Sequence, residues 1–159
     1  MQDDEEAVSP VIATVLLLAI TVMLSSMVFV LMTSSLSSVE KQPPVAKVSV
    51  RSLSNGYDVV KITYLNQQLD PAKVEWSLTS TNASISMSGW TNDADVYGAI
   101  GTEISFHDRD AGWSVSSGDY FVIDCDKIGC SDGTWRFRLI EKSSSGSGNV
   151  MVDFILPAI

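Results

Sequence analysis

The sequence predicts an α+β protein in which a long amino-terminal hydrophobic helix precedes an all-β, immunoglobulin-like sandwich. Three observations predict it. No charged residue occurs between Glu6 and Glu40, although charged residues make up 18% of the 159-residue chain. Beyond Glu40 the apolar residues change to strict alternation with polar ones, the period of half-buried strands. Between these regions, Pro43-Pro44 interrupts the chain where neither period could continue.

The helix comes first. Ala7 to Met32 reads AVSPVIATVLLLAITVMLSSMVFVLM, in which only Ser, Thr and one Pro are not plainly apolar. At about 1.5 Å per residue this run exceeds the roughly 30 Å of a hydrocarbon core. Its apolar residues fall on every side, so it belongs in lipid or inside other protein. Ser9-Pro10 is a suitable start, Ser as cap and Pro where no amide is needed, and the helix is expected from Pro10 to about Val39. A cleaved secretory signal, a permanent anchor and a filament helix all remain open. A signal is shorter and follows a positive start, whereas this run follows Asp3-Asp4-Glu5-Glu6. Lys41, Lys47 and Arg51 would by the positive-inside rule place the domain in the cytoplasm. Against that stand the cysteine pair, a glycosylation triplet at Asn82-Ala83-Ser84 and the short amino-terminal tail, and the domain is read as external.

Ser34 to Ser38 and Glu40-Lys41-Gln42-Pro43-Pro44 form a linker that the two prolines stiffen. The strands follow: Val48 and Val50; Val60, Ile62 and Tyr64; Val74, Trp76 and Leu78; Phe121, Ile123 and Cys125; Trp135, Phe137 and Leu139; Val150, Val152, Phe154 and Leu156. The last two are expected to pair as a hairpin around the apolar-free tip Ser143 to Asn149. Six or seven strands over this length imply a two-sheet sandwich.

Chemistry is sparse. Net charge is −9, and no basic patch offers a nucleic-acid footprint. Cys125 and Cys130 flank four residues and are read as a disulfide between facing strand residues worth about 2 kcal/mol, against two reduced cysteines in a turn. Zinc would need a second ligand pair. Asp93 with Asp95, Asp108 with Asp110 and Asp124 with Asp126 are read as solvated turns, since none has the calcium-loop pattern or the setting of a glycosidase pair. His107 stands alone as a surface or strand-end residue. Trp90 and Trp113 sit in loop-like sequence, where adhesive exposure competes with a core or subunit-contact role. No cofactor and no catalytic residue set is expected, and the chain is read as no enzyme.

Glu6-Ala7-Val8-Ser9-Pro10-Val11-Ile12, running straight into the apolar helix, resembles the amino terminus of archaeal type IV pilins. The resemblance implies cleavage by a prepilin peptidase between Ala7 and Val8. Bacterial type IV pilins carry glutamate where Ile12 stands, so the likeness is to the archaeal branch; the leader departs from the usual one in having no Lys or Arg. Leu69-Asp70-Pro71 and the hairpin from Trp135 to Leu156 are also similar to pilin-like ectodomains. The implied organisation is a leader 1–7, a membrane and filament-core helix 8–39, a hinge 40–44 and an extracellular β-sandwich 45–159. Pro10, Ile12, Ala13, Leu17, Ala19, Val22, Ser25 and Ser26 are expected to serve helix assembly, the small ones with Thr14 and Thr21 by permitting close approach. The implied partners are copies of the chain, the peptidase and the assembly platform, with the membrane before assembly. The alternative is a membrane-anchored minor pilin or motor-anchoring ectodomain that binds the cell surface layer.

Overall fold

The computed structural model describes residues 9–37, 42–143 and 146–159. The chain separates into two compact units between Gln42 and Pro43. The first is represented by helix α1, Ser9–Ser37, so the expected end at Val39 lies outside the described residues. Its side chains are exposed all round from Pro10 to Ser35.

The second unit contains β1 (Ala46–Ser52), β2 (Tyr57–Leu65), β3 (Val74–Ser80), β4 (Ser86–Trp90), β5 (Ile104–His107), β6 (Tyr120–Asp124), a one-turn helix α2 (Cys125–Ile128), β7 (Trp135–Lys142) and β8 (Gly148–Ile155). They form two antiparallel sheets, β1-β2-β6-β5 and β4-β3-β7-β8. Lettered in chain order with the fourth strand as C′, these are A-B-E-D and C′-C-F-G, the immunoglobulin arrangement with one added edge strand. The buried tryptophan such folds place on strand C is Trp76 on β3.

Alternation builds the core. Val60 and Ile62 of β2, Val74 and Leu78 of β3, Phe121 and Ile123 of β6, and Phe137 and Leu139 of β7 are all essentially inaccessible. Phe106, Phe121, Phe137 and Phe154 run in sequence across the two sheets with centroids 4.9, 5.6 and 5.6 Å apart. Each fully buried phenyl ring contributes about 1.5–3 kcal/mol through burial, and the tilted contacts add to that.

Two alternations break where the sequence gives no warning. Lys47 faces Tyr64 but Val48 faces Ile62, so Thr63 is an extra residue in β2. This bulge turns Tyr64 outward, to 49% exposure, although the sequence places it with Val60 and Ile62. A second bulge lies between Leu139 and Ile140, which face Val152 and Val150. It leaves Met151 packed on the core and Val150 exposed. Strands β4 and β5 are additions to the expected set. The linker prolines belong to the domain: Pro43 and Pro44 carbonyls accept from the amides of Asn66 and Asn149, at 3.3 and 2.9 Å.

Candidate functional site

Helix α1 is the feature with the clearest physical demand on its surroundings. Pro10–Ser35 is long and apolar enough to cross a membrane, with a mean hydropathy of 2.7. Five hydroxyl groups on it are turned back onto its own backbone. Thr14 donates to the Val11 carbonyl at 2.8 Å, Thr21 to Leu18 at 2.9 Å and Ser26 to Met23 at 2.9 Å; Thr33 and Ser34 do the same one turn back. Each of these five hydroxyl protons is thereby satisfied within the helix, and the outward surface is almost entirely hydrocarbon. At about 100° per residue, Thr14, Thr21 and Ser25 fall within roughly 40° of one another, and Ala19 and Ser26 form a second narrow row. Pro10, Ile12, Ala13, Leu17 and Val22 are exposed on the same helix. The expected cleavage residues Glu6, Ala7 and Val8 lie outside the described residues.

Residues 6–48 match the family model described as archaeal type IV pilin, N-terminal. The chain carries an archaeal type IV pilin amino-terminal segment. That pilin segment takes in the described helix α1 and the first residues of β1. No curated protein matches the chain.

The remaining candidates lie on the β domain. Cys125 and Cys130 are joined by a disulfide, with Cα atoms 4.6 Å apart. The two do not face each other from strands, as the sequence suggested: Cys125 opens α2, and the chain reverses through Gly129 at φ +82° before reaching Cys130. The local signal for this was Asp124 as cap and Gly129 as terminator. The Asp124 carboxylate accepts from the Lys127 amide at 3.2 Å and pairs with its ammonium at 3.4 Å. Burial alone would raise Asp124, but the Lys127 amide and ammonium and the Tyr57 hydroxyl together hold it below the ordinary aspartate value. Asp124 is therefore a buried cap and no solvated turn, whereas Asp126 beside it is exposed. Gly56, at φ +83°, faces Asp126 so closely that a Cβ would overlap the carboxylate, and its carbonyl receives the Cys125 amide at 2.9 Å. The disulfide turn is thus seated on the β1–β2 loop.

Two buried carboxylates were missed. Asp58 is inaccessible, takes one hydroxyl hydrogen bond from Ser52 and has Cys125 Sγ 3.7 Å away. A disulfide sulfur has no proton to donate, so that contact only desolvates. Burial raises the Asp58 carboxyl, and the Ser52 hydroxyl offsets part of the rise. Asp119 is likewise inaccessible and raised by burial, against the amides of Arg109 and Ser116 that it accepts at 3.0 and 2.6 Å. Its neighbour Tyr97 is pushed up to about 12 by burial and by its 2.6 Å hydrogen bond to Asp108. The signal was available: Asp58 shares the parity of Val60 and Ile62, and Asp119 that of Phe121 and Ile123.

Asp93 accepts from the Trp90 amide at 2.8 Å and closes the turn after β4, while Asp110 accepts from Ser116 and Gly112 and is lowered by those two contacts. Among the described residues no group of three or more acidic, His or Cys side chains could hold a metal ion. His107 ends β5 and stacks on Tyr120 at 5.0 Å. Trp90 ends a strand and is 38% exposed; Trp113 lies in a loop, stacked on Tyr97 at 4.2 Å and 63% exposed, so neither belongs to the core. Asn82 is exposed in the β3–β4 connection.

Proposed function

We propose that this chain is the structural subunit of an extracellular type IV pilus-like filament. The observation that carries the reading is α1: an apolar helix with internally bonded hydroxyls, within a segment matched to archaeal type IV pilins and followed by a β sandwich. Such a helix is stable only in lipid or against other apolar surface, which accounts for both stages of the proposed life of the protein. The precursor is held in the membrane with leader 1–7 attached. A prepilin peptidase cuts between Ala7 and Val8, and an assembly platform moves the helix from lipid onto copies of itself. The mature helix, Val8 to about Val39, then forms the filament core and the domain from about Val45 tiles the outside. A heterologous contact that repeats without closing generates a helical filament, so one subunit type is sufficient. The rows of small residues bring neighbouring backbones close. The role is structural, and no reaction is needed for it.

Mass spectrometry of the amino terminus in material sheared from the cell surface tests this. A terminus at Val8 in a sedimentable fraction is the expected result. An intact Met1 terminus confined to the membrane fraction would replace the filament subunit with a plainly anchored binding ectodomain.

A further inference from the structure

Residues 81–85 connect β3 to β4 in a loop whose base is closed. The Ser80 amide donates to the Ile85 carbonyl at 2.9 Å, and the amide and hydroxyl of Thr81 both donate to the Thr134 carbonyl, at 2.8 and 2.6 Å. The Ser80 hydroxyl oxygen accepts the amides of Asn82 and Ala83 at 3.4 and 3.1 Å. The backbone is therefore held, yet every residue from Thr81 to Ser86 is exposed. Neither the Asn82 carboxamide nor the Ser84 hydroxyl has a hydrogen-bond partner among the described residues. Asn82-Ala83-Ser84 is an acceptor triplet with no proline at its centre. Its two chemically necessary side chains are the ones this loop leaves free.

The triplet also stands far from where the chain enters the domain. Ser80 faces Trp135, the first residue of β7, whereas Lys142, the last, faces Gly148 beside Asn149, whose amide holds the Pro44 carbonyl. The length of β7 separates the two ends by about 24 Å.

Beside the triplet lies an unguarded sheet edge. Of the four edge strands, β5 is covered by the segment Val96 to Gly98, which exchanges two hydrogen bonds of 2.7 Å with Phe106. Strand β1 carries Lys47 and Arg51, and β8 carries Asp153. Strand β4, Ser86–Trp90, has neither charge nor proline. Ile85 and Thr91 bond to β3, so by antiparallel alternation Ser86, Ser88 and Trp90 turn their amides and carbonyls away from it. Asp93 takes the Trp90 amide, which leaves Ser86 and Ser88 as a template for another strand. Asn82 is four residues from Ser86, at most about 14 Å along the chain.

We infer that Asn82 is the acceptor of an N-linked glycan and that this glycan shields the open edge of β4. The inference rests on the external placement of the domain in the filament reading. The donor is a lipid-phosphate-linked oligosaccharide. Nδ2 of Asn82 bonds to C1 of the first sugar as the C1–O bond to phosphate breaks; the lipid phosphate leaves with that electron pair, and one carboxamide proton passes to a base. A bulky hydrated group at this position occupies the space that a pairing strand would need.

The test uses the full chain from its own cells, in sheared and membrane fractions. Mass spectrometry of the peptide containing Asn82 should show an added glycan mass. Asn82→Gln and Ser84→Ala should each abolish it, and Ser84→Thr should keep it. An unmodified Asn82 in chains that begin at Val8 overturns the inference and leaves the filament reading intact. A glycosylated chain with an intact Met1 terminus, confined to the membrane fraction, does the reverse. Added mass that survives Asn82→Gln places the sugar on a hydroxyl and overturns the assignment. For the edge, chain extracted from the membrane fraction into detergent is followed by sedimentation velocity. Asn82→Gln should form larger species at concentrations where the parent does not, and adding Ser88→Lys should restore the parent distribution, because a charge on the edge blocks pairing without sugar. Distributions equal to the parent in Asn82→Gln, or larger species that Ser88→Lys leaves in place, overturn the shielding role.

Discussion

Replacing Val22 by lysine is the sharpest test of the filament reading. Val22 lies near the middle of the 26-residue apolar span Pro10–Ser35, about 18 Å along the axis from Pro10 and about 20 Å from Ser35. A lysine stem cannot carry its ammonium that far to water. Insertion scales put lysine at a helix centre at about 3 kcal/mol, a factor of about 150 in an equilibrium constant. The membrane precursor already bears that cost, so assembly is opposed by the excess over it in a filament core walled by copies of α1, where there is no bilayer to thin around the charge and an uncompensated buried charge costs about 3–5 kcal/mol. The critical concentration for assembly is therefore expected to rise by about a hundredfold or more, which removes filaments from the sheared fraction. Leu17→Lys, about 10 Å from Pro10, should act in the same direction with a smaller penalty, and Val22→Leu should assemble as the parent does. Sedimentation of sheared material gives the yield. Amino-terminal mass spectrometry on the membrane fraction separates failed assembly from failed processing, and the melting of the β domain should not change. Parent-level filaments from Val22→Lys would refute the placement of α1 in a close-packed core.

The remaining expectations concern the β domain. Changing Cys125 and Cys130 together to alanine opens a loop with a sequence separation of 5, for which the chain-entropy relation gives about 2 kcal/mol, read as a lower urea midpoint; an unchanged midpoint would mean that α2 is held without the bond. Phe137→Ala, inaccessible between Phe121 and Phe154, should cost about 3–5 kcal/mol in the same assay. Exposed Val150→Ala should cost less than about 0.5 kcal/mol, and equal losses at the two sites would contradict the described packing. Asp58 and Asp119 are raised by burial, so the folded chain holds protons that the unfolded chain has released. They add stability below the ordinary aspartate value and lose it as pH rises through their raised values. Asp110, Asp124 and Asp132, which are lowered, act oppositely, their contribution disappearing as pH falls through their depressed values. Asp58→Asn should therefore flatten the fall in stability between the ordinary carboxylate range and neutrality, and an unaltered slope measured by urea unfolding at successive pH values would exclude Asp58 as a source.

What could be read in the sequence follows from where side chains must choose a solvent. Strands β2, β3, β6 and β7 bury one face against the opposite sheet, so Val60, Leu78, Ile123 and Phe137 leave an alternating trace. Strand β4 is an edge whose five residues alternate only between exposed and half-buried. Ser86-Met87-Ser88-Gly89-Trp90 consequently reads as loop. Strand β5 fails for the opposite reason: Ile104, Ser105 and Phe106 are buried in succession, and a short run of that kind carries no period. The bulges at Thr63 and Met151 depend on the register of partner strands, which no local pattern encodes.

The sites divide along the same line. A helix that must meet hydrocarbon on all sides announces itself, because every exposed position is constrained by its solvent; α1 is legible for that reason, whereas the return of its Thr14, Thr21 and Ser26 protons to its own backbone is seen only in the structure. The setting of the buried Trp76 leaves almost no such mark. Its walls come from β3, β4, the turn at Asp93 and the loop before β5, segments that come together only through pairing of edge strands. The alternation of Val74, Trp76 and Leu78 correctly places the indole in the core, yet the decisive fact is that its N–H is unpaired there, and hydrogen-bond satisfaction is a property of neighbours in space. Gly89 is the nearest thing to a sequence signal. A glycine inside a strand marks a close approach, here of an indole ring directly across the ladder, and any side chain at that position would press on Cζ2 and Cε2 at the end of Trp76 that carries its only polar atom.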